Sequence, residues 1–182
     1  MEDLENRTFD ILFDVRRSVR YHLYRQKFFE QFHTISTVLN FLAGSSAVTL
    51  ILAYPDLKLI AASFSILIVI LSTIDVVVGT TRKSTLHSDL AVQFINLEKQ
   101  ISPEINLDDE KYEKLRQRKL DIEMREPPIL RLLDVVCYFE VYRSLGGEAR
   151  EIPKINLIRK WTKQLFGYST YALTLSLIEK TK

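Results

Sequence analysis

The residue most able to do chemistry in an otherwise apolar stretch is Asp75, in the run "FSILIVILSTIDVVVGTTRK" from Phe64 to Lys83. A charged aspartate at the centre of a membrane helix costs about 2.5–3.5 kcal/mol on insertion scales, so this carboxylate needs polar company. At a rise of about 1.5 Å per residue it lies roughly 6 Å before Gly79, toward the end that exits into Arg82 and Lys83. Ser65, Ser72, Asp75 and Gly79 recur at helical steps on this segment, and Ser36, Asn40 and Gly44 do so on an earlier one, with Thr37, Ser45 and Thr49 nearby. Small residues let helices approach and polar ones bond across the gap; repeated around a ring, the same stripe lines an aqueous path. Both uses remain open from the sequence. Arg82 lies two turns from Asp75, beyond the reach of a direct pair, so a neighbouring helix, another subunit or water must satisfy the carboxylate.

A second group is basic. Arg16, Arg17, Arg20 and Arg25 precede the first apolar run, where guanidinium groups bind either a phosphate-bearing signal or the headgroups of anionic lipids. His22 and His33 are about three helical turns apart and His87 has only Asp89 close in sequence, spacings that do not match a metal site. Glu104, Asp108, Asp109 and Glu110 form an acidic cluster of the kind that complements a helix dipole. No Walker loop, dinucleotide glycine motif or nucleophile elbow occurs. The expectation is a non-enzyme with no cofactor and no metal.

The elements that position these groups follow from patterning. The chain has 182 residues, 47% of them hydrophobic and 26% charged, with a net charge of +2. Charge is segregated: between Ile35 and Ile74 only Asp56 and Lys58 break the apolar run, while both flanks are dense in Lys, Arg, Asp and Glu. Basic and acidic residues are interleaved, which argues against a nucleic-acid surface. Cys137 is the single cysteine, so no intramolecular disulfide forms, and a reducing compartment fits. The N-terminal "MEDLENRTFDILFDVRR" is acidic and lacks the apolar core of a signal peptide.

Ile35 to Ala53 supplies 19 uncharged residues and Leu59 to Gly79 supplies 21 with one charge, against the roughly 20 that a spanning helix needs. The five residues "YPDLK" between them force a reversal, predicting a two-transmembrane helical hairpin. Basic residues concentrate before the first span and after the second, with Lys58 alone in the turn, so the positive-inside rule places both termini in the cytoplasm. Phe9, Leu12, Val15, Val19 and Leu23 predict an amphipathic helix before the first span, followed by an interfacial aromatic belt of Phe28, Phe29 and Phe32. Leu86, Leu90, Phe94, Leu97 and Ile101 carry the second span onward as one helix to about Gln100, ended by Pro103. "NLDDEKYEKLRQRKLDIEMRE" reads as a dipole-matched helix stopped by Pro127 and Pro128. "ILRLLDVVCYFEVYRSLGG" reads as a buried helix ended by Gly146 and Gly147. Ile155, Ile158, Trp161, Leu165 and Leu175, with Lys154, Arg159, Lys160 and Lys163 around the tryptophan, predict a last amphipathic helix that lies on a membrane surface or packs on the bundle or a neighbouring subunit.

The fold class is therefore all-α, a two-transmembrane hairpin with a cytoplasmic helical bundle. Its parts are a juxtamembrane helix over 1–34, the hairpin over 35–79, a cytoplasmic helical region over 80–152 and the C-terminal helix over 153–182. In this order, "HSDLAVQFINLEKQI" and "EPPILRLLDVVCYFEVYRSLG" resemble the SLATT family of bacterial two-transmembrane effector domains. The matching positions are His87, Leu90, Ala91, Leu97 and Ile101 in the first stretch and Glu126, Pro127, Leu133, Cys137 and Glu140 in the second. The resemblance implies an oligomeric, pore-forming membrane effector of a bacterial anti-phage or conflict system, located in the inner membrane. It further implies a trigger from the cytoplasm, by a nucleotide second messenger or a sensor protein. A membrane anchor or scaffold that conducts nothing is the alternative.

Overall fold

The computed structural model describes residues 2–101 and 108–146, so the amphipathic helix expected over 153–182 and the stop at Pro103 lie outside the described residues. All regular structure among the described residues is helical: α1 (Glu2–Ala53), a 3₁₀ turn (Pro55–Leu57), α2 (Lys58–Val78), α3 (Thr80–Ile101), α4 (Asp109–Glu123) and α5 (Arg131–Ser144). α1 and the α2–α3 segment each contain a stretch long and apolar enough to cross a membrane. The most apolar windows of these stretches are only 17% and 6% buried, whereas the core helix of a soluble protein is mostly covered. At about 1.5 Å per residue, the 21 residues of α2 extend about 31 Å, close to the hydrocarbon thickness of a bilayer.

The expected continuous helix from Leu59 to Gln100 is interrupted at one residue. Gly79 adopts a left-handed conformation, φ 63° and ψ 49°, and its N–H bonds to the Asp75 and Val76 carbonyls as a C-cap. A β-carbon disfavours this region by about 1–2 kcal/mol, so glycine is the residue that permits the break. α3 begins directly afterwards at Thr80.

The chain forms two compact units. Among the described residues, those up to Tyr24 together with those from Ser88 onward make one, and Arg25–His87 make the other.

The first unit is built on Ile11, Val15 and Val19 of α1, Leu90, Phe94, Leu97 and Ile101 of α3, and Leu115 and Ile122 of α4. Helical spacing at three and four places these residues on single faces, and burying those faces against one another drives the unit together. The stripe on α1 is rotated from the one expected: Val15 and Val19 are buried as anticipated, but Phe9 and Leu23 are about half exposed while Ile11 and His22 face inward. Hydrophobicity alone missed this rotation because a buried polar residue, His22, occupies the inner face. Asp108 caps α4 by accepting from the Lys111 N–H at 2.7 Å, and Asp109 and Glu110 occupy its positively polarised first turn. α5 starts beyond the Pro127–Pro128 pair and buries Leu132, Leu133, Val136, Cys137 and Val141. Gly146, at φ 85°, follows its end.

The second unit packs the later part of α1 against α2 and the start of α3. Small residues, Ala43, Ala47 and Ala61, are buried in it. A β-carbon added at Gly44 would meet Ile68 Cδ1 at 3.8 Å. Phe28 and Phe29, expected to form an interfacial belt, are instead buried, and Phe29 stacks on His87 with ring centroids 5.8 Å apart. Lys83, over the Phe29 ring at 5.6 Å, and His87 lie on α3 beyond the Gly79 break and supply part of the cover over Phe29.

Candidate functional site

The polar residues of the two apolar helices meet one another. Asn40 on α1 donates through Nδ2 to the Ser72 hydroxyl on α2 at 3.0 Å. His33, nearly two turns earlier on α1, bonds through Nδ1 to the Asp75 carboxylate at 2.8 Å. The Thr80 hydroxyl, just past the Gly79 break, donates to the other oxygen of Asp75. Farther along, the Ser84 hydroxyl reaches Glu30 at 3.3 Å and Gln26 bonds to the same carboxylate at 2.8 Å. A ladder of polar contacts thus runs from Glu30 to Asn40 along one face of α1.

The ladder ends at Asn40. Beyond it the seam holds Ala43, Gly44, Ala47, Ala61 and Ile68, which offer no side-chain hydrogen bonds. Within it, Ser36 Oγ and Asn40 Oδ1 are buried without a hydrogen-bond partner. Other hydroxyls of the same helices behave differently. Ser45, Ser46, Thr49, Ser63, Ser65 and Thr73 each donate to a carbonyl three or four residues earlier on their own helix, which satisfies the donor without a partner helix. Ser65, expected on the polar stripe, is therefore engaged locally, and Gly79 acts as a helix cap.

No family model, no curated protein and no solved structure matches this chain.

The arginines expected to face a phosphate or a lipid headgroup are largely engaged inside the protein. Arg16 pairs with Glu98 at 2.8 Å, and Arg17 with Asp134 at 3.2 Å and Asp14 at 3.6 Å. Arg25 lies over the Phe29 ring, 4.6 Å from its centroid. Arg20 carries a buried Nη1 without a hydrogen-bond partner. Among the motif positions with an imidazole or carboxylate side chain, His87 is buried against Phe29. Glu126 meets His22 Nε2 at 3.0 Å, with His22 also stacked on Phe94 at 5.6 Å. Glu140 accepts from the Tyr24 hydroxyl at 2.8 Å. Tyr21 joins the same region by accepting the Leu130 N–H at 2.9 Å.

These contacts fasten residues 17–24 of α1 to the segment from Glu126 to Glu140. Two of its groups titrate away from their ordinary range. Burial pushes the Asp134 carboxyl up, with Arg17 opposing and Asp14 and Glu126 adding to the rise. Burial and the hydrogen bond to Glu140 push the Tyr24 phenol up to about 12. Among the described residues, no three His, Cys, Asp or Glu side chains group as a metal site.

Sequence reasoning missed His33 and Thr80 as the partners of Asp75. A usable signal was present: a tight turn at Pro55–Leu57 pairs residues roughly equidistant from it, and His33 and Asp75 nearly are.

Proposed function

We propose that this chain is an oligomeric membrane effector of the SLATT type, inserted as a two-helix hairpin with both termini in the cytoplasm of a bacterium and triggered from that side. The observation that carries the membrane part is how the two apolar helices divide their surfaces. Polar side chains on α1 and α2 engage one another through Asn40–Ser72 and His33–Asp75, while Phe41, Leu52, Leu59, Val76 and Val77 are exposed. Outward apolar faces of this extent are destabilising in water and suited to lipid. Oligomerisation and pore formation are the effector part of the proposal, supported by the resemblance of the two motif stretches. In this reading the chain acts by assembly and conformational change.

A second reading, a non-conducting anchor, is favoured by a specific observation: both oxygens of Asp75, the one charged residue of the spans, are engaged inside one subunit. A pore built by several copies would then need either other faces of the helices or an opening of the Asp75 contacts. Ion flux from liposomes containing the purified chain separates the two readings. The effector reading expects flux whose cation selectivity or gating changes in Asp75→Asn. Inserted, assembled protein that conducts nothing under any stimulus would leave the anchor.

A further inference from the structure

The seam between α1 and α2 contains two buried polar atoms without a hydrogen-bond partner, Ser36 Oγ and Asn40 Oδ1. Ser36 is 4% exposed. The two residues are one turn apart on the same face of α1. On the opposite helix, Ser72 accepts from the Asn40 carboxamide at 3.0 Å, and Asp75, one turn along α2, meets His33 at 2.8 Å. Along α1, Ser36 therefore lies between the two cross-helix contacts and joins neither.

This differs from the treatment of hydroxyls elsewhere on the two helices. Ser63 donates to the Leu59 carbonyl at 2.9 Å and Thr73 to the Val69 carbonyl at 2.7 Å, each within its own helix. Ser36 makes no such bond, and Ser72 accepts from Asn40 while donating to no carbonyl among the described residues. Turning the Asn40 carboxamide over does not help. With either placement of its oxygen and nitrogen, one atom reaches Ser72 and the other stays unpaired in the seam. A polar atom buried without a partner is costly, and here a hydroxyl, a hydroxyl proton and one end of a carboxamide fall within a single turn.

We propose that this turn of the seam binds a water molecule held by Ser36 Oγ, Asn40 Oδ1 and Ser72 Oγ. Such a water donates to the Asn40 oxygen, accepts the Ser72 proton and exchanges a bond of either sense with the Ser36 hydroxyl; about three partners is usual for a buried water. With the carboxamide turned over, the water accepts from its nitrogen instead, so the site is indifferent to that assignment. The water links Ser36 to the Asn40–Ser72 contact and thereby pins α1 against α2 in one register. It also extends the polar section inward. From His33, whose side chain is 47% exposed, to Asn40 is about 10 Å of helix, and the water sits at its inner end, next to the apolar seam of Ala43, Ala47 and Ala61. Asp75, one turn from Ser72, thus gains a hydrated neighbourhood of the kind a carboxylate in an apolar helix needs. That last consequence rests on the membrane reading above; the site itself does not.

The test is a thermal double-mutant cycle on the detergent-solubilised full chain with Ser36→Ala, Asn40→Ala and both together. A bridging water predicts that Ser36→Ala lowers the melting temperature by about 2–4 °C. The double variant then loses less than the sum of the single losses, because either truncation already releases the water. Ser63→Ala, whose hydroxyl is bonded within its own helix, stays within about 1 °C of the parent. A dry seam predicts the opposite sign, since deleting an unsatisfied buried hydroxyl is neutral or stabilising: Ser36→Ala that melts with or above the parent, its effect simply adding to that of Asn40→Ala, overturns the water. A second measurement needs no variant. Solid-state NMR of the isotope-labelled chain in liposomes is expected to show magnetisation passing from water protons to the Asn40 carboxamide and not to the buried Ala47 methyl; no transfer to Asn40 overturns the site. Stabilisation by sodium or potassium over choline at equal ionic strength, lost in Ser36→Ala, overturns water as the occupant in favour of a monovalent cation. A chain that does not associate with liposomes overturns the membrane reading, while the cycle still decides the site.

Discussion

The buried pair His22–Glu126 allows a quantitative test of what fastens α1 to the α4–α5 segment. The His22 side chain is 1% exposed and that of Glu126 8%, with Nε2 and Oε1 3.0 Å apart. Stacking on Phe94 and an edge contact with Tyr21 hold the imidazole in place. Glu126→Ala removes a hydrogen bond involving a carboxylate, about 1.5–3 kcal/mol, and leaves a buried ring nitrogen without its acceptor, about 1–3 kcal/mol more. The two costs sum to about 2.5–6 kcal/mol, and because they overlap the expected loss is about 3 kcal/mol. For a chain of this length about 1 kcal/mol moves the melting temperature by about 2–4 °C, so a drop of about 6–12 °C is expected. Glu126→Gln keeps an oxygen where Oε1 lies and is expected to lose about a third as much. The assay is thermal unfolding followed by circular dichroism in detergent, run as a double-mutant cycle with His22→Ala, which isolates the pair from the packing each residue also provides. If the single effects simply add in the double variant, or if Glu126→Ala melts within a degree of the parent, the clasp is not where the stability lies.

Three further outcomes follow from the same geometry. Tyr24→Phe deletes the hydrogen bond to Glu140 and is expected to cost about 0.5–1.5 kcal/mol; a spectrophotometric titration near 295 nm should also lose the phenol that ionises only at about 12. For Asp134 the folded-state pKa is raised, chiefly by burial, so between the ordinary carboxylate value of about 3.9 and that raised value the folded chain holds more protons than the unfolded one. Stability is therefore lost as pH rises through that window, and Asp134→Asn should flatten this part of a melting-temperature profile against pH; an unchanged slope would remove Asp134 from the account. Gly79→Ala is expected to destabilise by about 1–2 kcal/mol because of its left-handed backbone. A β-carbon there would touch nothing within 4 Å, so Gly79→Asn, which tolerates this region better, should cost less; equal losses would point to sterics instead.

The helical class, the two apolar runs and the tight turn between them were legible because each rests on local properties: length, periodicity, caps and proline positions. Val15, Val19, Leu90, Phe94, Leu97 and Ile101 were legible as core for the same reason, since a residue's face on a helix follows from its spacing. Gly79 was seen as part of a small-residue stripe but not as a break, because the same glycine suits close packing and a left-handed cap equally well. Arg16 and Arg17 looked available to a ligand because their partners, Glu98 and Asp134, are remote in sequence.

By itself the sequence determined that this protein is helical, that two of its stretches match a bilayer in length and polarity, and that Asp75 needs a polar neighbour there. Only the tertiary structure decided who that neighbour is. His33 and Thr80 take the carboxylate, Ser72 takes Asn40, and internal acids take Arg16 and Arg17. Hydrophobic spacing is a one-dimensional signal carried by each helix alone. The partner of a charge or a hydrogen-bonding group depends on how helices are registered against one another, and short-range directional contacts decide that only once the chain has folded.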